Sequence, residues 1–83
     1  MTMEQIDFFL MTVRCDTFLE AAENLHIAQS TLSKQIQKLE SELNLTLFDR
    51  TRRQAVLTPA GELFCQEASE LSRQYHQMLQ KMR

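Results

Sequence analysis

The side chains with most to offer a ligand cluster in ten positions: Gln29, Ser30, Thr31, Ser33, Lys34, Gln37 and Lys38. They supply amides, hydroxyls and amines, and no Asp or Glu occurs between residues 28 and 39. A set like this holds no nucleophile with its base and no group of metal ligands. Amides and hydroxyls can hydrogen-bond the edges of nucleic-acid bases, and amines can sit against phosphates. A second basic group follows at Arg50, Arg52 and Arg53. The chemistry on offer is recognition of a polyanion rather than catalysis.

The first group needs a helix to present it. Leu32, Ile36, Leu39 and Leu43 are spaced by four, three and four residues, which keeps them on one helical face. At about 100° per residue the opposite side carries Ser30, Lys34, Gln37 and Ser41. Ser33 and Thr31 flank that side, and Lys38 lies close to it. The pattern predicts a helix from about Gln29 to Leu43, closed by Asn44 as a left-handed cap. Such a face suits the floor of a DNA major groove. A solvated amphipathic helix would show the same pattern, so the flanking elements bear on the choice.

Upstream, Thr2-Met3-Glu4-Gln5 has the form of a capping box, and Met3, Ile6, Phe9, Leu10 and Val13 give a helical stripe. A first helix is expected from about Met3 to Cys15, with Asp16 turning the chain in a left-handed conformation. Thr17-Phe18-Leu19-Glu20 predicts a second capping box and a short helix through Asn24, its apolar side formed by Phe18, Ala21, Ala22 and Leu25. His26 stands alone in the next turn with no second metal ligand nearby. Ile27 is expected to plug the core beneath it. Helix, turn and polar helix together make a helix-turn-helix.

Downstream, Leu47-Phe48-Asp49-Arg50 and Ala55-Val56-Leu57 flank Thr51-Arg52-Arg53-Gln54. This predicts a small two-stranded wing over 47–57, whose basic tip could reach an adjacent minor groove or phosphates. Thr58-Pro59 then caps and opens a last helix, with Gly61, the only glycine, in its first turn. Phe64, Ala68, Leu71, Tyr75, Met78 and Met82 follow at steps of four, three, four, three and four, with Cys65 and Leu79 alongside. A helix from Pro59 to Arg83 would run for roughly 37 Å. A core this small cannot cover that length, so the line is expected to be a dimerisation seam between two copies.

Eighty-three residues make one small domain with a modest core, of a size that often gains stability from a second subunit. The net charge of −2 argues against nucleic acid until it is located. Residues 1–27 hold Arg14 against five acids, whereas residues 28–58 hold Lys34, Lys38, Arg50, Arg52 and Arg53 against Glu40, Glu42 and Asp49. A phosphate backbone meets the local patch rather than the total. Cys15 and Cys65 have neither metal-ligand nor redox spacing and are expected to be buried free thiols. No apolar run approaches the roughly 18–20 residues that a membrane span needs, and no secretory signal opens the chain. No metal or cofactor is expected, nor an enzyme. The alternative to a DNA-binding module is a helical dimerisation or protein-interaction module, which the acidic first helix would suit.

In order along the chain, Phe18 with Ala21-Ala22, Leu25, Gln29, Leu32-Ser33-Lys34-Gln35-Ile36, Leu39-Glu40, Leu47-Phe48, Arg50, Arg53 and Leu57-Thr58-Pro59-Ala60-Gly61 resemble the N-terminal DNA-binding domain of LysR-type transcriptional regulators. The resemblance covers essentially the whole chain. It implies a mainly α fold: a winged helix-turn-helix of three helices and a small wing over 1–58, then a linker and dimerisation helix over 59–83. It also implies a homodimer on bacterial double-stranded promoter DNA, in the cytoplasm at the nucleoid, with a tetramer open to a full-length parent. The positions matching Gln29, Ser30, Ser33 and Lys34 would enter the major groove, and Arg53 would serve the wing. A small-molecule effector would be sensed only by a further C-terminal domain, which these residues do not contain. Three departures stand out. Asp16 and Asn44 occupy positions where the family commonly has glycine. Ala28 stands where a capping Ser or Thr is common. Arg52 takes a wing position that is more often small.

Overall fold

The computed structural model describes residues 1–83, which form four helices: α1 (Met3–Arg14), α2 (Phe18–Leu25), α3 (Gln29–Leu43) and α4 (Pro59–Lys81). A hairpin between α3 and α4 forms the wing. The first helix starts where its capping box places it. Thr2 Oγ1 accepts the Gln5 amide and Gln5 Oε1 accepts the Thr2 amide, both at 3.1 Å. The Gln5 side-chain amide also donates to Gln35 Oε1, tying α1 to α3. At α2, Thr17 accepts the Glu20 amide, but no reciprocal bond from the Glu20 side chain forms, so the expected second box is half made.

The core is assembled from the faces that the spacing picked out. Ile6 and Phe9 from α1, Ala21 and Ala22 from α2, and Leu32, Ile36 and Leu39 from α3 are all buried. The two alanines let α2 come close to its neighbours. Ile27 is half-buried against this cluster. Phe9 is the aromatic centre, with Phe48 at 5.4 Å and Phe64 edge-on at 5.0 Å, and Phe48 in turn meets Phe18 at 5.1 Å. Edge-to-face contacts in this range add to plain burial. Phe48 therefore docks the base of the wing onto α1 and α2. The core continues past Thr58 into α4, where Ala68 is buried and Phe64 and Cys65 pack half-buried. The boundary after Thr58 is thus a change of element within one core.

Several expectations need correcting. Asp16 does not adopt a left-handed conformation: α1 ends at Arg14, and Cys15 leaves it extended, at φ −99° and ψ 157°. The two positive-φ residues are His26 (φ 58°) and Asn44 (φ 56°). In each case the following amide reaches back five residues, Ile27 to the Ala22 carbonyl and Leu45 to the Glu40 carbonyl, both at 3.1 Å. This Schellman closure demands a left-handed residue. The wing is shorter than expected. It pairs at one antiparallel position, Phe48 opposite Leu57, bracketed by Asp49 N–H donating to the Val56 carbonyl and Thr58 N–H to the Leu47 carbonyl. Cys15 is buried and accepts from the Asn24 side chain, whereas Cys65 is only half-buried; both are free thiols.

Ala28 caps α3 in an extended conformation with no side-chain hydrogen bond to the helix. The first amides of a helix have no partners within it, and alanine offers none. Ala28→Ser is expected to add ~1 kcal/mol. In a domain this small that raises the melting midpoint by roughly 4–8 °C. Thermal melts at matched protein concentration check it, since a dimer's midpoint depends on concentration. An unchanged or lower midpoint contradicts it.

Candidate nucleic-acid interface

The register of α3 divides its side chains cleanly. Leu32, Ile36 and Leu39 are buried, while Gln29, Ser30, Thr31, Lys34, Gln37 and Lys38 are exposed and Ser33 is half-exposed. A groove of about 470 Å³ lies between the start of α3, the start of α2 and the wing. Gln29 and Ser33 line one wall, and Arg50, Arg52, Arg53 and Gln54 line the other. Residues separated by some twenty positions in sequence are thereby brought to one concave surface. Gln37 borders a different, shallower groove with Ser41, Asn44 and Thr46. Ser30, Thr31, Lys34 and Lys38 line neither and stand out from the exposed side of the helix.

The cations are not equivalent. Arg50 is paired with Glu40 at 3.1 Å and lies 4.9 Å over the Phe18 ring. Arg52 pairs with Asp49 at 3.5 Å. Lys34, Lys38 and Arg53 have no carboxylate within 4.0 Å, so their charge is free for an anion. Asp49 is an acid in the groove wall that the sequence placed merely within a wing strand. It organises the tip: its Oδ1 accepts both the Thr51 hydroxyl, at 2.6 Å, and the Thr51 amide, at 3.0 Å. These bonds, and then Arg52, hold its carboxyl below the ordinary range despite some opposing desolvation.

The start of α2 also lines the groove, through Thr17, Phe18 and the exposed Leu19. Sequence spacing gave no reason to include them, because they are local residues of a capping turn. Their position follows from α2 packing across α3.

On α4 the apolar line splits. Phe64 and Ala68, expected in the dimerisation seam, serve the protomer's own core, because the first turns of α4 lie against α1. Ser72 continues that contact by donating to Asp7 Oδ1 at 3.4 Å. Leu71, Met78 and Met82 are 43%, 51% and 78% exposed. On a helical wheel they fall within about 40° of one another. Tyr75 and Leu79 are half-buried at the edge of this stripe. No helix is long and apolar enough to cross a membrane.

A helix-turn-helix whose second helix carries no acid from Gln29 to Leu39, followed by a basic hairpin, defines a winged helix-turn-helix domain of the kind that binds DNA. The chain belongs to the lysR family of bacterial regulatory helix-turn-helix proteins, whose family model matches residues 3–62. Among its relatives is the protein described as "Uncharacterized HTH-type transcriptional regulator YcgK" from Bacillus subtilis (strain 168), 42% identical over 82 residues. That match takes in 99% of this chain and 25% of the relative, so the chain spans about a quarter of that protein's length. The crystal structure of a BenM_DBD/benA site 1 DNA complex superposes with a TM-score of 0.94 at 38% identity, over 99% of this chain and 95% of that one. The crystal structure of a CbnR_DBD-DNA complex gives 0.94 at 28% identity, over 100% and 95%.

Proposed function

We propose that this chain is the module with which a LysR-type bacterial transcriptional regulator binds double-stranded promoter DNA in a sequence-specific way. The observation that carries the proposal is the shared groove. It joins Gln29 and Ser33 of α3 to the basic tip of the wing, next to the first eleven residues of α3, which offer free amines and no acids. In this reading α3 enters the major groove, where Gln29, Ser30, Thr31, Ser33 and Gln37 face bases or backbone. Lys34 and Lys38 meet phosphates, and Arg53 carries the wing to the adjacent minor groove or its phosphates. Solved relatives with DNA in their crystals support it. A dimerisation module that never touches DNA would leave the groove and the acid-free first turns of α3 without a role.

We further propose that two copies pair along the exposed stripe of α4, with tetramers possible only in a longer protein. The module acts in the bacterial cytoplasm at the nucleoid and is a regulator's reading head rather than an enzyme. Any effector is bound elsewhere in the longer protein.

Titration of a duplex at several salt concentrations tests the DNA face. Lys34→Ala and Arg53→Ala should each weaken binding. Where the lost group met one phosphate, the slope of log affinity against log salt should flatten by about one unit. Binding left unchanged by both substitutions contradicts the assignment.

A further inference from the structure

One carboxylate of α3 accepts three hydrogen bonds and is the least exposed of the carboxylates in ion pairs. Glu40 lies one turn before the end of α3, and its side chain is 14% exposed. Its Oε2 accepts the Leu47 amide at 2.7 Å and the Phe48 amide at 3.3 Å. Its Oε1 accepts Arg50 Nη2 at 3.1 Å. Its backbone carbonyl accepts the Leu45 amide. A single residue of the recognition helix therefore grips the whole segment 45–50 that leads into the wing. Arg50 adds a second hold, its guanidinium carbon 4.9 Å from the centre of the Phe18 ring at the start of α2.

The wing needs such a grip. Its two strands pair at one position, so a sheet does not fix its direction. A hairpin this short is not stable alone. Hydrogen bonds to an ionised carboxylate are roughly twice as strong as neutral ones, and the two that Glu40 accepts from the Leu47 and Phe48 amides are partly buried. We infer that Glu40 and Arg50 are positioning residues, which lock the wing to the recognition helix and thereby set where Arg53 meets DNA. Arg50 has its charge met by Glu40 and its guanidinium held over the Phe18 ring, so it is not a spare phosphate ligand. Arg53 is the unpaired cation at the tip. The inference rests on the DNA-binding reading above.

The test is a double-mutant cycle, read by fluorescence anisotropy on a mixed-sequence duplex at low salt. The four proteins are the wild-type chain, Arg53→Ala, Glu40→Gln and the double variant. Glutamine keeps an acceptor oxygen but loses the charge, and its NH2 group faces donors. Arg53→Ala should weaken the wild type severalfold. In the Glu40→Gln background the factor should shrink by about twofold or more, as expected of groups coupled through one network. If Glu40→Gln no longer melts cooperatively, Arg50→Gln takes its place, since that side chain is 40% exposed and its loss spares the amide bonds. An equal factor in both backgrounds overturns the inference while leaving DNA binding intact. If Arg53→Ala has no effect on a wild-type chain that binds, the wing has no contact to position and the inference falls. If the wild-type chain fails to bind the duplex, the DNA-binding reading itself fails.

Discussion

Gly61→Ala is expected to lower the melting midpoint by more than ~10 °C, on the basis of ~3 kcal/mol of overpacking and several degrees per kcal/mol in so small a domain. A Cβ at this position would stand 2.1 Å from the Leu47 carbonyl oxygen and 2.9 Å from Leu57 Cδ2. The oxygen cannot move aside cheaply. It accepts the Thr58 amide at 2.9 Å, and Thr58 in turn caps α4 by accepting the Gly61 amide, also at 2.9 Å. Wing base, cap and first helical turn are one interlocked unit, and the glycine lets the helix lie directly on the strand. Its φ is not positive, so close approach and not backbone conformation demands glycine here. Thermal melts of both forms at equal concentration decide the matter. A midpoint within a few degrees of wild type would show that α4 can slide off Leu47 at little cost.

The second large effect concerns α4. Leu71→Asp with Met78→Asp should convert a dimer to monomers in sedimentation and leave each protomer folded, because both side chains are already largely exposed. A carboxylate in an apolar seam must either be desolvated or keep the helices apart. Affinity for a duplex with two half-sites should then fall by about 10²–10⁴, the scale on which linked binding exceeds single binding. Affinity for one half-site should barely change. Dimers that persist at micromolar concentration in the double variant would show that the copies meet elsewhere.

The helices were largely legible in the sequence because their causes are local. The spacing of Leu32, Ile36 and Leu39 set the register of α3, and with it which polar residues face outward. Ala28 and Asn44 marked its ends correctly. The left-handed residue between α2 and α3 was missed, although His26 stands in a turn and histidine takes a positive φ more often than most residues. Its conformation is imposed by the Ile27 amide reaching back to Ala22. Asp16 does lie in the bend between α1 and α2, but not in a left-handed conformation: Cys15 and Thr17 on either side are extended, and the Asp16 carbonyl accepts the Ala55 amide of the wing, at 2.9 Å.

The wing and its charges were less legible for the same kind of reason. Ala55 on Asp16 and the Glu40 carboxylate on Leu47 and Phe48 are bonds between distant positions, and hydrophobic alternation does not report them. Counting charges along the chain treated Arg50 and Arg52 as free. Folding pairs them and leaves Lys34, Lys38 and Arg53 as the unpaired cations of residues 28–58. The apolar line of α4 was visible, but its division between core and outer face depends on where α1 ends up lying.

The most direct test of the account is selection from a random duplex pool by the wild-type chain and by Gln29→Ala in parallel. The wild type should enrich a defined motif. The variant should enrich the same motif with preference relaxed at one base pair per half-site, by ~1–3 kcal/mol if Gln29 makes a bidentate contact to a base. No enriched motif for the wild type, or one that Gln29→Ala reproduces unaltered at every position, would contradict the claim that this face of α3 reads the sequence.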